Sequence, residues 1–292
     1  MGKRVIVDFD NTLGVRGCDV DDGLALLYLL GRGDVQIEGI CTSYGNSDIE
    51  TVTNNTRRML SEWGLDIPVH KGCAGPVRFG DGDVRGAGAF IASTLQDAPG
   101  EVSVLVTGST SNLLQASIAK PGVLNTAASI DFMGGITHTL VINGTIMDEL
   151  NLSCDPDASI EALSALCSVS VATAQNCLPA FFTRDDLAQL GEDSWVYRAC
   201  AYWFEDMEKR YKWKGWTCWD VVAAAHLAEP GLFEEEEHWL VRDRRMLSVG
   251  FLEEADEGEP VMHVNLPRIK DPDAFKEHVL SMWKAGSEKL GL

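Results

Sequence analysis

The apolar positions of the chain follow two different spacings in turn. Four short runs rich in Val and Ile are almost continuously apolar, at residues 4–9, 35–42, 101–107 and 127–133. Between them, apolar residues recur at helical spacing, at residues 22–32, 47–64, 85–96 and 110–119. Buried strands that alternate with amphipathic helices are typical of a parallel sheet covered on both faces. The pattern therefore predicts an α/β fold with a mostly parallel central sheet flanked by helices.

The second half of the chain continues with further amphipathic segments. Helices are predicted at residues 155–166, 195–212, 219–228 and 272–289, and a charged strand or hairpin at 238–250. No repeat or low-complexity linker interrupts the sequence, so we expect one domain over residues 1–292.

Charge and cysteine content narrow the class of protein. The formal net charge of −20 at pH 7 repels nucleic-acid phosphates and anionic membranes, so we expect neither as a partner. The eight cysteines lack metal-binding spacing, which favours reduced core residues. The chain shows no signal peptide and no apolar run of about 20 residues, the length of a membrane span. These features predict a soluble, cytoplasmic protein.

An unusual group of carboxylates follows the first apolar run. Its members are Asp8, Asp10, Asp19, Asp21 and Asp22. Such a group repels itself unless a cation or a shared proton neutralises it. In an open parallel sheet, ligands bind beyond the carboxyl ends of the strands, where three later runs also end in polar residues. The sequence therefore predicts a site at this edge of the sheet.

The motif around Asp8 and Asp10 can be interpreted as part of a phosphatase active site. Asp8-Phe9-Asp10-Asn11-Thr12 resembles motif I of the haloacid dehalogenase superfamily. That resemblance implies a Mg²⁺-dependent enzyme in which Asp8 attacks phosphorus and Asp10 acts as acid and base. The superfamily also needs a lysine and a late acidic pair after a strand. Lys120 is the only nearby lysine, and Glu192-Asp193 follows no apolar run.

A longer pattern, spanning roughly residues 3–230, resembles the inosine–uridine-type nucleoside hydrolases. The matching blocks are Asp8-Phe9-Asp10, Asp21-Asp22-Gly23, Thr42-Ser43-Tyr44-Gly45-Asn46, Thr107 to Asn112, Met133-Gly134-Gly135, Asn143, Glu149-Leu150-Asn151, Asp155-Pro156 and Trp219-Asp220. Several blocks in order are more specific than a single motif. One departure stands out: ten residues, 11–20, separate Asp10 from the aspartate pair, where the family usually has three. We expect a flexible excursion that returns to the same strand end.

The resemblance implies hydrolysis of the N-glycosidic bond of ribonucleosides to free base and ribose. By resemblance, Asp10 is the general base for a Ca²⁺-bound water and also a Ca²⁺ ligand. The other Ca²⁺ ligands implied are Asp22, Asp220 and the backbone carbonyl of Thr107. Asp8 would lie next to these ligands without binding the ion itself.

The resemblance also implies how the nucleoside is held. Asp21 and Asn151 would bind the lower ribose hydroxyls, Asn143 and Glu149 the 5′ end, Met133 would line the sugar pocket, and Asn46 would support the metal-bound water. A homodimer or homotetramer acting in nucleoside salvage is expected as well.

This chain differs from many relatives at the positions that would contact the leaving base. Many relatives carry a His immediately before the late Asp, where this chain has Trp219, and Arg85 stands near another family His. A Trp–Asp pair resembles the purine-preferring branch, so a purine preference is predicted. Two alternatives stay open: the Mg²⁺ phosphatase, and a nucleoside-binding relative without activity, should the ten-residue loop displace Asp21 and Asp22.

Overall fold

The computed structural model describes residues 2–80 and 84–292. Within these residues the strands are β1 (Lys3–Phe9), β2 (Val35–Thr42), β3 (Val69–Lys71), β4 (Val102–Val106), β5 (Ser129–Met133), β6 (Leu140–Ile142), β7 (Thr145–Met147), β8 (Ser168–Ala172), β9 (Phe181–Thr183), β10 (Gly215–Thr217), β11 (Phe233–Glu234), β12 (Glu237–Val241), β13 (Val261–Asn265) and β14 (Arg268–Ile269). The α-helices are α1 (Asp21–Arg32), α2 (Ile49–Glu62), α3 (Gly86–Asp97), α4 (Ser111–Ala119), α5 (Pro156–Leu163), α6 (Ala174–Cys177), α7 (Arg184–Ala188), α8 (Trp195–Tyr211), α9 (Trp219–Ala228), α10 (Arg244–Leu247) and α11 (Pro272–Leu290).

The central sheet has eight strands in the order β12-β13-β8-β5-β4-β1-β2-β3. Neighbouring strands are parallel except β12 and β13, which pair antiparallel at one edge. The strand order reverses between β1 and β4, and this reversal opens a crevice beyond their carboxyl ends. The predicted α/β class and mostly parallel sheet are therefore confirmed, and the crevice lies where β1 delivers its aspartates.

Strand β1 is buried on both faces, as its continuous apolar run predicts. Val5, Val7 and Phe9 belong to a core formed with α1, α8, α9 and α11, whereas Ile6 belongs to the core on the opposite face, with α3 and α4. Because alternate residues of a strand face opposite sides, helices cover both faces of the sheet centre. The sheet therefore gives the site a rigid floor.

Two parts of the second half differ from the prediction. The strand or hairpin expected at residues 238–250 is a single strand, β12, followed by the short helix α10; the partner of β12 is the later strand β13. Helix α10 begins after Asp243, whose Oδ1 accepts a hydrogen bond from Arg245 N at 2.7 Å and so ends the strand. Strand β8, in the middle of the sheet, was not predicted, because its apolar residues continue from those of α5.

The ten-residue loop at 11–20 is packed against the domain. Leu13 and Val20 are fully buried, and Asn55 Nδ2 donates to the carbonyls of Asn11 and Leu13 at 3.3 and 3.2 Å. The loop returns the chain to α1 beside the end of β1, as expected. The expectation that the loop is flexible is wrong, because buried apolar side chains and hydrogen bonds hold it to its neighbours.

Two further sequence expectations concern thiols and membranes. All eight cysteines are free, and five of them are buried. Among the residues that the structure describes, no helix is long and apolar enough to cross a membrane.

Candidate active site

Carboxylates from three distant segments meet at the carboxyl end of β1. Asp10 follows β1 directly, Asp21 and Asp22 open α1, and Asp220 lies in the first turn of α9. None is more than 3% exposed. Asp21, Asp22 and Asp220 each offer an oxygen within 4.8 Å of the other two, so these three residues could hold a metal ion.

The convergence follows from how α1 and α9 pack. The two helices contact each other on one face of the sheet, and both begin at the crevice. The positive ends of their dipoles therefore point at the carboxylates, which favours negative charge there. The backbone N–H of Asp220 also donates to Asp21 Oδ2 at 3.2 Å. Residues 199 positions apart are thus tied directly together.

Asn46, in the loop after β2, orients the Asp10 carboxylate. Its backbone N–H donates to Asp10 Oδ2 at 2.8 Å, and its Nδ2 donates to Oδ1 at 3.0 Å. The same Nδ2 lies 3.4 Å from Asp22 Oδ2. Gly45 is required beside this clamp, because a Cβ there would overlap the Asp10 carboxylate. Asn46 therefore fixes Asp10 with two donors and leaves it ionisable.

Thr107, at the end of β4, contacts the site with two different groups. Its Oγ1 donates to Asp22 Oδ1 at 2.7 Å, and its carbonyl accepts from Asn151 Nδ2 at 3.1 Å. Asn151 also donates to the Met133 carbonyl at 3.0 Å. A carbonyl oxygen has a second lone pair, so the Thr107 oxygen can accept this bond and still face a cation.

Asp8 lies on β1 behind the cluster. Its Oδ1 accepts from Asn112 Nδ2 at 2.8 Å, while its buried Oδ2 has no hydrogen-bond partner among the described residues. Burial raises the pKa of Asp8 to about 7, against the opposing effect of Asn112. Asp8 therefore supports the site without reaching its cavity.

Burial also raises the pKa values of the other carboxylates. It raises the pKa of Asp10 to about 6, although the hydrogen bond from Asn46 opposes the shift. Burial, reinforced by the negative charge of neighbouring aspartates, holds the pKa values of Asp22 and Asp220 well above their usual range. A bound cation would remove this repulsion. The donors are hard oxygens, which suit Ca²⁺ or Mg²⁺ better than a soft metal.

A cavity of about 290 Å³ connects the carboxylates to an aromatic wall. Its polar lining includes Asp21, Asp220, Asn46 and Thr107, which we call the acidic end. Its aromatic lining, which we call the aromatic end, consists of Trp203, Tyr211, Trp213, Trp216 and Trp219. The cavity thus combines charge and hydrogen bonds with flat apolar rings, an arrangement suited to a small ligand with a polar and a planar half.

The aromatic wall comes from the end of α8, from β10 and from the start of α9. The Trp213 ring centroid lies 6.4 Å from that of Trp219, with the planes tilted by 53°, and 5.4 Å from that of Phe181. Trp219 precedes Asp220, so one turn of α9 contributes to both ends of the cavity. These residues make the aromatic-rich segment a wall of the cavity.

The structure places most of the predicted substrate residues in this cavity. Asp21, Asn46, Met133, Glu149, Asn151 and Trp219 all line it. Glu149 is engaged there, since its carboxylate accepts the N–H groups of Gly135, Leu152 and Ser153 at 3.1, 2.8 and 2.8 Å.

Asn143 is the exception among the predicted substrate residues. It lies in the turn between β6 and β7, outside the cavity lining, and its Nδ2 donates to the Tyr211 carbonyl at 3.0 Å. The dipeptide Asn-Gly between two short apolar runs is a strong turn signal, which explains this position. The structure thus does not bring Asn143 to the ribose end with Glu149.

Sequence reasoning assigned no role to several residues that line the cavity. Asp19, from the ten-residue loop, is one, and Leu140 and Met147, from the β6–β7 hairpin, are others. Asp19 belongs to the carboxylate group that the sequence showed, so its presence could have been anticipated. Leu140 and Met147 carried no chemical signal, because an apolar pocket residue is indistinguishable from a core residue in a single sequence.

Comparisons with known proteins agree with this geometry. The profile of the family described as "Inosine-uridine preferring nucleoside hydrolase" matches residues 5–277. Uridine nucleosidase 1 of Arabidopsis thaliana is 24% identical over 65% of this chain and 61% of its own length. The inosine-uridine preferring nucleoside hydrolase of Leishmania major is 24% identical over 54% of this chain and 56% of its own length. The chain therefore spans roughly three fifths of the length of these curated relatives.

Solved structures extend the likeness to the whole fold. A plant nucleoside hydrolase has a TM-score of 0.83 at 19% identity, covering 97% of this chain and 99% of its own. A purine-preferring ribonucleoside hydrolase from Gardnerella vaginalis has the same TM-score and identity, covering 98% and 100%. Since the family profile extends over nearly all of the sequence, the chain belongs to the inosine-uridine preferring nucleoside hydrolase family.

Proposed function

We propose that this protein hydrolyses the N-glycosidic bond of ribonucleosides, releasing free base and ribose, with the help of bound Ca²⁺. The observation that carries the proposal is one cavity that joins a buried carboxylate cluster to an aromatic wall. A ribonucleoside has the matching halves: a sugar rich in hydroxyls and a flat base. Membership of the family supports the same reaction.

Asp10, Asp22, Asp220 and the Thr107 carbonyl are the residues that would hold the cation. Four oxygen donors with several negative charges suit Ca²⁺, which accepts irregular oxygen coordination. Asp21 lies in the same carboxylate group and is close enough to serve the ion or the ribose. When bound, such an ion lowers the pKa of a coordinated water and accepts sugar hydroxyls.

Asp10 is the proposed general base. Burial raises its pKa to about 6 when no cation is bound, and a bound cation would favour the ionised form that can accept a proton. The two donors of Asn46 hold both carboxylate oxygens, so the base keeps one orientation as it takes a proton from the attacking water.

The ribose would be held between the carboxylates and Asn151. Asp21 can accept hydrogen bonds from two neighbouring hydroxyls, and Asn151 is fixed for this task by the carbonyls of Thr107 and Met133. Glu149 holds the backbone around residues 135 and 151–153, and its carboxylate faces the same cavity as a further acceptor.

The departing base would stack on the aromatic wall, with a preference for purines. Stacking contributes roughly 1–3 kcal/mol per base, and purines present the larger face to Trp213 and Trp219. The cavity lining contains no histidine among the residues that the structure describes, so solvent is the proposed proton source for the base. The purine-preferring structure from Gardnerella vaginalis supports this preference, and the uridine nucleosidase from Arabidopsis thaliana argues against it.

The experiment that tests this function offers three substrates to the Ca²⁺-loaded protein. Inosine and uridine report ribose release, and p-nitrophenyl phosphate reports phosphatase activity. We expect ribose and hypoxanthine from inosine. Nitrophenol as the sole product would favour the phosphatase reading, and Ca²⁺ and nucleoside binding without product would favour a non-catalytic relative. Light scattering on the same sample tests the proposed homodimer or homotetramer.

A further inference from the structure

The β6–β7 hairpin forms part of the cavity wall although it lies outside the central sheet. Leu140 and Met147 from the hairpin line the cavity. The two strands pair only with each other, and their outer residues Val141 and Ile146 are 53% and 67% exposed. Leu140 and Ile142 on the inner face are buried, at 5% and 6% exposure. A two-stranded hairpin that packs on the domain through one face needs less free energy to open locally than a strand of the central sheet.

The end of α8 forms the facing part of the wall. Tyr211 and Trp213 line the cavity, and Lys212 between them ends the helix in the left-handed region, with φ of 55°. The last carbonyls of a helix have no partner within the helix and must find donors elsewhere. Here the donor comes from the hairpin.

Asn143 joins these two wall segments. Its Nδ2 donates to the Tyr211 carbonyl at 3.0 Å and lies 3.4 Å from the Lys212 carbonyl. Asn143 and Lys212 are the two non-glycine residues with positive φ in the part of the chain that the structure describes, at 48° and 55°. Asn143 and Gly144 together form the two-residue hairpin turn that favours this backbone. Two left-handed residues from segments 69 positions apart therefore meet at one contact.

We propose that Asn143 is a positioning residue that straps the β6–β7 hairpin to the end of α8 and so controls entry to the nucleoside cavity. Its amide holds Leu140 and Met147 against the aromatic side of the cavity. Breaking the contact releases a hairpin that packs on the domain through one face, and the opening admits nucleoside or releases products. The proposal rests on the proposed function for the identity of the ligand, while the strap itself is a property of the protein alone.

Asn143→Asp isolates the amide, because Asp has the same shape and tolerates the left-handed turn but cannot donate to a carbonyl. Asn143→Gly removes the side chain and keeps the turn favourable. Lys212→Gly is the matched control: it keeps both carbonyl acceptors and relieves the left-handed backbone at the other end of the contact.

Two measurements test the strap. Hydrogen exchange followed by mass spectrometry reports opening of residues 140–147 without any ligand. Stopped-flow binding of formycin A, a fluorescent adenosine analogue with an unhydrolysable carbon–carbon glycosidic bond, reports entry and exit. We expect faster exchange in Asn143→Asp and Asn143→Gly, and association and dissociation rates raised about three- to tenfold, as loss of one hydrogen bond allows. Lys212→Gly should behave as the parent.

Unchanged exchange at the hairpin would overturn the proposal, as would faster exchange with unchanged formycin A kinetics. Weaker binding with parent-like exchange would show that Asn143 touches the ligand itself, which also overturns it. A parent protein that neither binds formycin A nor hydrolyses inosine would refute the proposed function. Hydrogen exchange at residues 140–147 would then be the measurement that tests the strap.

Discussion

The two ends of the cavity are built in different ways. At the acidic end, Asp21 and Asp220 line the cavity, and Asp10 and Asp22 belong to the same carboxylate group, at the end of the central strand β1 and the start of α1; all four are nearly inaccessible to solvent. At the aromatic end, the lining comes from the β6–β7 hairpin and the segment between α8 and α9, outside the central sheet. Most of the aromatic lining therefore lies on segments that carry none of the carboxylates, and α9, with Trp219 and Asp220, is an element that the two ends share. Under the proposed function, bond cleavage and base selection should therefore respond separately to most mutations.

The largest expected effect is at the acidic end. Asp10→Asn should lower kcat by at least about 10³-fold, since it removes the general base and one cation charge. The fold should survive, because Asn keeps the shape and its oxygen still accepts one of the two hydrogen bonds from Asn46. The measurement is ribose release from inosine at saturating Ca²⁺, with the exposed Asp97→Asn as control. Comparable losses of kcat in Asp10→Asn and Asp97→Asn would contradict a special role of the acidic end in bond cleavage.

The next effect concerns stability and pH. A carboxylate with a raised pKa binds more protons in the folded than in the unfolded state, so the metal-free protein loses stability as pH rises from about 4 towards 7, where Asp10 and Asp8 ionise. A bound cation stabilises the ionised cluster. Melting temperatures in chelator and in Ca²⁺ should therefore differ more at pH 8 than at pH 5. An equal difference at both pH values would place the ion away from these carboxylates.

The aromatic end should affect which base is released. Trp219→Ala should lower kcat/KM for inosine by about 5- to 150-fold, corresponding to 1–3 kcal/mol of stacking, and should lower it less for uridine. Trp219→Phe should recover part of the loss, and the exposed Trp239→Ala should change neither. Parent enzyme that turns over uridine as fast as inosine would refute the purine preference and leave the hydrolase proposal intact.

The smallest expected effect separates the two contacts of Thr107. Thr107→Val removes the hydroxyl that donates to Asp22 and keeps the carbonyl. If the carbonyl is the cation ligand, calorimetric Ca²⁺ affinity should fall by about tenfold, close to the lower end of what one hydrogen bond to a charged group contributes. A loss approaching that of Asp220→Asn would assign the role to the hydroxyl instead.

Much of the acidic end could be predicted from the sequence. The apolar runs located the strands, and parallel strands bring their carboxyl ends to one edge, so Asp10, Asn46 and Thr107 were expected together. The ten-residue loop did not displace Asp21 or Asp22, because Leu13 and Val20 anchor it in the core. The haloacid dehalogenase resemblance remained confined to residues 8–12, within a sequence that matches the other family over residues 5–277.

The aromatic end was less predictable because its geometry depends on tertiary contacts. Trp219 could be assigned from its place before Asp220, but nothing in the sequence shows that the turn at Asn143 reaches the end of α8. The family motif predicts Asn143 at the ribose, whereas in the structure Asn143 and Gly144 form the turn of the β6–β7 hairpin, with Asn143 in the left-handed region that Asn-Gly turns favour. The sequence pattern therefore locates the carboxylate cluster better than the residues of the cavity wall.

The most direct test of the central claim is the Ca²⁺ dependence of ribose release from inosine in the parent protein and in Asp220→Asn. Among the carboxylates of the site, Asp220 lies furthest along the chain from β1, so it reports whether distant segments hold one ion. We expect chelator to abolish ribose release in the parent and added Ca²⁺ to restore it. We expect Asp220→Asn to stay inactive at the same Ca²⁺ concentration. Chelator-resistant release, or parent-like activity in Asp220→Asn, would contradict the central claim.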